Sequence, residues 1–443
     1  MSHALRQYSL VTLSYWGFTV TDGALRMLVV LYFHQLGYSP FEVAALFLFY
    51  EFFGMVTNLF GGWLAARTGL NTTLHIGLAL QMMALAMLLV EPAWLSVIYV
   101  MAAQALSGIA KDLNKMSAKS SIKLLLPDNA QGKLYHWIAL LTGSKNTLKG
   151  VGFFIGALLL ASIGFRAAIL VLFLGLMLVC IASFLLLDRD IGKSQYQPKF
   201  RDLFSKSPAI NRLSAARFFL FGSRDIWFVV ALPVYLQSVL GWSHTSVGSL
   251  LALWIIAYGA VQSIAPKLTQ LGRNKGCNLD HNNGPDGKTA LHWILPLGLI
   301  PAVIAAALHY PLAAPATVLM LGLAVYGIFF AINSSLHSYL IVAYAQRDGV
   351  SLDVGFYYMA NAGGRLVGSL LSGLIYQWQG LEACMLASSA FIAIACVLST
   401  GLAKYQPQVI NSQKPTENQN HDSRLPSATN SYSTNPFNNT PAP

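Results

Sequence analysis

Asp22 and Arg26 stand four residues apart in an otherwise apolar run, and Lys145 and Lys149 repeat that spacing in another. On a helix this spacing puts both members of a pair on one face. The first pair can neutralise itself, whereas the second stacks two ammonium groups that repel until an anion comes between them. Glu51, Arg224, Asp225 and Arg365 interrupt further apolar runs near their middles. A charge at bilayer depth costs at least about 2.5–3.5 kcal/mol, so each needs a partner, a wet cavity or a function. Arg26, Lys145, Lys149, Arg224 and Arg365 outnumber Asp22, Glu51 and Asp225, which predicts a cavity that is net positive when empty. Arginine's planar fork matches phosphate, arsenate and carboxylate oxygens in pairs, and lysine adds a flexible point charge. A small polyanion is therefore the expected ligand, ahead of a cation or a neutral drug.

Some of these residues carry two readings. Asp22 with Arg26 is a structural ion pair or part of the ion site. Asp22 and Glu51 are candidate proton carriers, because burial raises a carboxyl pKa and a nearby cation lowers it, or they are permanent counter-ions. Lys111, Asp112 and Lys115 lie in the inner part of span four, where the lysines extend the positive path or snorkel to the surface. Asn58, Asn146, Asn333, His337 and Asn361 offer neutral hydrogen bonds along the cavity or between helices. Asn361 is counted with the substrate-binding set. Cys277, Asp280 and His281 fall in an Asn- and Gly-rich loop that reads as solvated, so no metal site is expected. No cofactor motif is present: the glycines at 150, 152, 156, 363, 364, 368 and 373 follow no strand and serve close helix packing instead.

The elements that must hold these groups are membrane spans. Of the 443 residues, 55% are hydrophobic and only 10% charged, against about a quarter charged in soluble domains. Apolar runs long enough to cross a bilayer recur at about 8–35, 41–66, 72–90, 94–116, 134–162, 165–187, 212–239, 245–268, 291–310, 315–340, 352–377 and 381–403. The expected fold is an all-α membrane protein of twelve transmembrane helices. The net charge of +11 needs no nucleic acid, because cationic residues gather in the cytoplasmic loops of membrane proteins. One alternate set of connections holds Arg6, Arg67, Lys119, Lys123, Lys133, the basic stretch 188–211, Arg273, Lys275, Lys288, Arg347 and Lys404, and the other holds Arg166 alone. Both termini are therefore expected in the cytoplasm, as an even number of spans requires.

The chain repeats itself. Gly37-Tyr38-Ser39-x-x-x-Val43 after the first span matches Gly241-Trp242-Ser243-x-x-x-Val247 after the seventh, and Lys149-x-x-Gly152 in the fifth matches Arg365-x-x-Gly368 in the eleventh. Matches at corresponding places indicate duplicated transporter halves. The organisation expected is a six-helix half over 1–187, a cytoplasmic loop over 188–211, a second six-helix half over 212–403 and a disordered cytoplasmic tail over 404–443.

Twelve spans in two similar halves joined by a basic loop resemble the major facilitator superfamily. Its signature after span two, a glycine, an Asp-Arg pair and a further glycine, is met in part by Gly62, Arg67 and Gly69, with Ala66 where the acid belongs. Tyr15-Trp16-Gly17-Phe18-Thr19-Val20-Thr21-Asp22-Gly23-Ala24-Leu25-Arg26, Phe33-His34-Gln35-Leu36-Gly37-Tyr38-Ser39-Pro40 and Tyr50-Glu51-Phe52-Phe53-Gly54 are similar to the ArsJ-type organoarsenical-efflux permeases. That resemblance implies export of 1-arseno-3-phosphoglycerate from a bacterial inner membrane, arsenate resistance, and functional partnership with a glyceraldehyde-3-phosphate dehydrogenase that makes the ester. Arginines in spans one and seven also resemble those of organophosphate exchangers, which supplies the alternative: an exchanger of organophosphate for phosphate, or another exporter of small anions.

The expected activity is secondary transport by alternating access rather than catalysis, since the spans hold no Ser/His/Asp set and no H-E-x-x-H motif. Arg26 and Arg224 are expected to grip one anionic end of the substrate and Lys145, Lys149 and Arg365 the other. Asp22 or Glu51 would couple release to protonation, with proton antiport as the coupling. A monomer in the lipid bilayer is the default assembly.

Overall fold

A computed structural model describes residues 3–37, 46–126, 131–188, 206–271, 284–310, 314–346 and 349–405. Most of the 188–211 loop, the tail beyond 405, the Cys277, Asp280 and His281 group and the Tyr38 to Val43 part of the first repeat motif lie outside the described residues. Helices α1 (His3–Gln35), α2 (Leu48–Thr68), α3 (Leu70–Met87) and α4 (Val97–Leu125) are followed by one long helical stretch, Gln131–Leu186. That stretch breaks at Gly164, whose φ of 76° no helix contains, giving α5 (131–163) and α6 (165–186). Then come α7 (Pro208–Phe228) with a short continuation Ala231–Ser238, α8 (His244–Leu271), α9 (Gly287–His309) and α10 (Pro315–Tyr344). The stretch Val350–Thr400 breaks in its turn at Gly380, φ 74°, into α11 (350–379) and α12 (381–400). The twelve expected spans are all present as helices.

Helices are required because lipid offers no partner for backbone N–H and C=O groups. The helix ends are dealt with locally. Ser96, Ser207 and Asp286 cap α4, α7 and α9 by accepting from the N–H groups of Tyr99, Ile210 and Thr289. Pro208 and Pro315 open α7 and α10, where a missing N–H does no harm. Large apolar side chains such as Phe154, Leu158, Leu178, Leu299, Leu321 and Leu370 point outward, which suits a lipid-facing surface.

Seven helical stretches of the described residues are long and apolar enough to cross a membrane by length and composition, and the breaks at Gly164 and Gly380 make nine spans of them. The helices left over are α1, α2 and α4, the carriers of Asp22, Arg26, Glu51, Lys111, Asp112, Lys115 and Lys119. Charge, not length, keeps them below that level.

The repeat is written in the backbone as well as in the sequence. Gly37 and Gly241 both take positive φ, 91° and 68°, and so do Gly164 and Gly380 at the paired α5–α6 and α11–α12 turns. In each half a glycine seam brings two helices into backbone contact. A methyl group on Gly152 of α5 would lie 2.5 Å from the Val20 carbonyl oxygen of α1, and one on Gly368 of α11 would lie 2.5 Å from the Gly222 oxygen of α7. Of the glycines expected to allow close packing, Gly150, Gly152, Gly156, Gly364 and Gly368 do so, whereas Gly363 has only ordinary contact and Gly373 faces open space.

Span four departs from expectation. It runs from Val97 to Leu125, about two turns beyond the expected end at 116, so Lys119 and Lys123 belong to the helix and not to a loop. Both are buried, at 2% and 4% exposure. Four lysines at four-residue intervals, Lys111, Lys115, Lys119 and Lys123, share one face of α4, and their low hydropathy hides the continuation of the helix.

Candidate functional site

A cavity of about 420 Å³ lies between the two halves, lined from α1, α2, α4, α5, α7, α8, α10 and α11. All six residues expected to bind substrate line it: Arg26, Lys145, Lys149, Arg224, Asn361 and Arg365. Glu51 lines it too, while Asp22 and Asp225 sit just behind the wall, 4% and 0% exposed. Lys111, Asp112 and Lys115 also reach the cavity, as do Lys119 and Arg217. The wall and its immediate backing therefore hold nine cations against four carboxylates. Of the neutral candidates, Asn58, Asn146 and Asn361 line the cavity, whereas Asn333 bonds to the Trp293 carbonyl and serves a helix contact.

The expected pairing of Asp22 with Arg26 is replaced by contacts between helices. Asp22 takes Lys149 of α5 at 3.6 Å and accepts from the Tyr50 hydroxyl of α2 at 2.8 Å. Arg26 turns to Glu51 at 3.6 Å and lies over the rings of Phe47 and Tyr50, with centroids 4.8 and 5.3 Å away. The glycine seam explains the exchange: it draws α1 and α5 so close that Lys149 reaches Asp22 across the helices. Lys149 thereby has a carboxylate partner, whereas no carboxylate lies within ion-pair distance of Lys145 among the described residues.

The C-terminal half repeats this arrangement with arginine in place of lysine. Asp225 accepts from Arg224 Nε at 2.7 Å and from Arg365 Nε at 3.1 Å, so α7 and α11 are joined across their own glycine seam. Glu51 spans the halves, 3.6 Å from Arg26, 3.9 Å from Lys111 and 3.9 Å from Arg365. Asp112 is held by Lys111 at 3.7 Å and by a short contact with Lys115. These are partly desolvated charges, whose attraction is stronger than at a water-exposed surface.

Two residues of the site escape the sequence reading. Arg217, 3% exposed, donates from Nε to Asn361 Oδ1 at 3.0 Å and from Nη1 to the Ser334 carbonyl at 3.2 Å, with Phe221 under its guanidinium at 3.8 Å. Its position within span seven was the available signal. Lys119 donates to the Tyr358 hydroxyl, and the lysine spacing on α4 was the signal there.

Contacts between the halves gather at one end of the bundle. There the C-terminal parts of α2, α4, α8 and α10 meet the N-terminal parts of α5 and α11. Ser351 Oγ donates to the Gly62 carbonyl at 2.9 Å, Tyr339 donates to Gln131 at 3.0 Å, and Lys123 donates to the Ala343 carbonyl at 3.3 Å. Nearer the middle, Asn146 donates to Gln262 at 2.6 Å. The cavity is closed at this end.

The Major Facilitator Superfamily model matches residues 10–276 and 289–437. No curated sequence aligns significantly with the chain. Among solved structures, the human organic anion transporter MFSD10 (TETRAN) is similar with a TM-score of 0.69 at 15% identity, covering 90% of this chain and 100% of that one. A bacterial homologue of the iron transporter ferroportin, in an outward-facing state, has a TM-score of 0.68 at 14% identity, covering 90% and 99%. The transporter FucP, in the outward conformation, has a TM-score of 0.66 at 10% identity, covering 90% and 99%. At these identities the likeness is one of fold.

Proposed function

Because the chain belongs to the major facilitator superfamily, a family of secondary transporters of small solutes, we propose that it moves a small polyanion across the membrane by alternating access. The observation that carries this reading is the charge of the central cavity, nine cations against four carboxylates, with Lys119, Lys145 and Arg217 matched by no carboxylate among the described residues. Such a cavity repels a cationic drug and leaves a neutral sugar with unmatched charges to desolvate. An anion that supplies several oxygens lowers the mutual repulsion of the cations and allows the halves to close around it.

The substrate that fits both the cavity and the resemblance of the first two spans to ArsJ-type permeases is 1-arseno-3-phosphoglycerate. Its arsenate and phosphate ends suit clusters of guanidinium and ammonium groups. On this reading the chain exports the ester made when a glyceraldehyde-3-phosphate dehydrogenase uses arsenate, and so confers arsenate resistance. The basic connections would face the cytoplasm of a bacterial inner membrane, with both termini on that side. The closed end is then the cytoplasmic one, and the cavity faces outward.

The geometry revises the expected division of labour. Lys149 and Arg365 are each engaged with an aspartate on the neighbouring helix, so they hold the walls as well as facing the ligand. Glu51, shared among Arg26, Lys111 and Arg365, is the carboxylate best placed to lose its partners when an anion arrives. It is therefore the proposed coupling group, with proton antiport driving export.

The test uses inside-out vesicles carrying the protein, with the dehydrogenase, its substrates and radiolabelled arsenate outside. Label that accumulates only when the dehydrogenase reaction runs, and that falls with Lys149→Gln, supports export of the ester. Uptake of a sugar phosphate in exchange for phosphate, with no arsenate label, would move the protein to the exchanger reading.

A further inference from the structure

The cations of the cavity form two groups that differ in how they are compensated. Arg26, Lys111, Lys115, Lys149, Arg224 and Arg365 all lie within 4 Å of a carboxylate of Asp22, Glu51, Asp112 or Asp225. Lys119, Lys145 and Arg217 have none among the described residues, and they stand on the parts of α4, α5 and α7 that run to the closed end. Lys119 is close enough to both Arg217 and Lys145 for their charges to act on it. Lys119 and Arg217 are almost completely buried, at 2% and 3% exposure.

The geometry points to a separate subsite for a tetrahedral oxyanion dianion at the closed end of the cavity, made by Lys119, Lys145, Arg217 and Thr142. The inference rests on the anion-transport reading and deepens it. The donors are set up and unused. Arg217 is fixed by Asn361 and the Ser334 carbonyl through Nε and Nη1, which leaves Nη2 without a protein acceptor. Lys119 spends one hydrogen on Tyr358, and Lys145 spends none. Thr142, one helical turn before Lys145 on α5, lines the same cavity with its buried hydroxyl unpartnered. A buried polar group without a partner is unfavourable, and two buried cations beside a third, half-buried one more so, so the site is complete only with an anion present.

The chemical class follows from number and shape. A monocarboxylate offers one charge and two oxygens, and leaves two of the three cations unmatched. A phosphate or arsenate ester offers two charges and three terminal oxygens, one for each cation. The donors also come from both halves: α4 and α5 supply Lys119, Lys145 and Thr142, and α7 supplies Arg217. An oxyanion seated there bridges the halves beside the Lys119–Tyr358 contact, at the end that must part for the cavity to open the other way.

The experiment measures calorimetric binding of 3-phosphoglycerate and of glycerate to the purified full chain in lipid nanodiscs. The two probes share a carboxylate and differ by the phosphate. The expected result is a preference of about 100-fold for the phosphorylated probe, the worth of two charge-assisted contacts. Arg217→Gln and Lys119→Gln should each cut that preference to about tenfold or less, since each removes about one such contact. Lys119→Arg should keep it, and Arg224→Gln should weaken both probes alike. A preference that survives in both glutamine variants overturns the inference and puts the phosphate among the compensated cations. Should Arg217→Gln fail to fold, Lys119→Gln reads the same ratio. Export of the arsenate ester with an unchanged ratio defeats this subsite alone, whereas a wild-type protein that binds neither probe and exports no anion defeats the transport reading with it.

Discussion

Asp225 is wholly buried and shared by two guanidinium groups from different helices, which makes it the residue whose neutralisation should cost most. Asp225→Asn leaves Arg224 without a counter-charge and Arg365 with only the looser contact to Glu51, and breaking a buried pair in this way costs about 3–5 kcal/mol. Thermal unfolding of the detergent-solubilised variant should show a clearly lowered midpoint, and an unchanged midpoint would mean that the two arginines find other partners. Glu51 is the opposite case, half-exposed at 39% and in loose contact with three cations. Glu51→Gln adds a net positive charge to the cavity, so anion affinity should rise about fivefold, near 1 kcal/mol, the upper range for an exposed pair. If Glu51 is the coupling group proposed above, proton-driven export should nonetheless fall to the leak level. Binding assays beside transport assays separate the two effects, and export that continues at the wild-type rate removes Glu51 from coupling. At this scale the sequence told which residue types lie in the cavity but not which would pair. Spacing along one helix suggested Asp22 with Arg26, and only the approach of a second helix makes Lys149 the nearer partner.

The glycine seams decide that approach. Gly152 and Gly23 on one side, and Gly364 and Gly368 on the other, leave no room for a methyl group without moving a backbone carbonyl. Gly152→Ala and Gly364→Ala should therefore each destabilise by about 1–3 kcal/mol, the usual cost of overpacking, and should reduce transport with it. Gly175→Ala and Gly373→Ala, at positions with open space around them, are the controls and should be neutral or slightly stabilising. If all four variants unfold at one temperature, the seams are not close contacts in the membrane. Helix number and order were legible in the sequence because apolar runs of span length have few alternative solutions in lipid. Helix ends were not, and α4 shows why. A lysine every fourth residue lowers the hydropathy of a segment that is buried against other helices instead of lipid, so the run of apolar residues stops before the helix does. The same lapse hid Lys119, and with it one wall of the anion subsite.

For the molecule as a whole, the contacts between halves at the closed end set which way the cavity faces. Ser351→Val removes the hydrogen bond from α11 to the Gly62 carbonyl of α2, a loss of about 1 kcal/mol that shifts the balance of states about fivefold. Deuterium uptake of segments 119–126 and 339–346, which lie at that end, should rise accordingly, and unaltered uptake would mean that other contacts hold the closed end shut. The twofold repeat was legible from short motifs because duplicated halves keep the same turns, here Gly37 with Gly241 and Gly164 with Gly380. What the motifs conceal is that the equivalent aspartates of the two halves are held differently. In the C-terminal half one carboxylate is clamped by two planar guanidiniums at 2.5 and 3.1 Å, while its counterpart holds a single ammonium at 3.6 Å and a phenol. The molecule is thus a vice with one fixed jaw and one compliant jaw, and most of the give during a transport cycle should come from the first six helices.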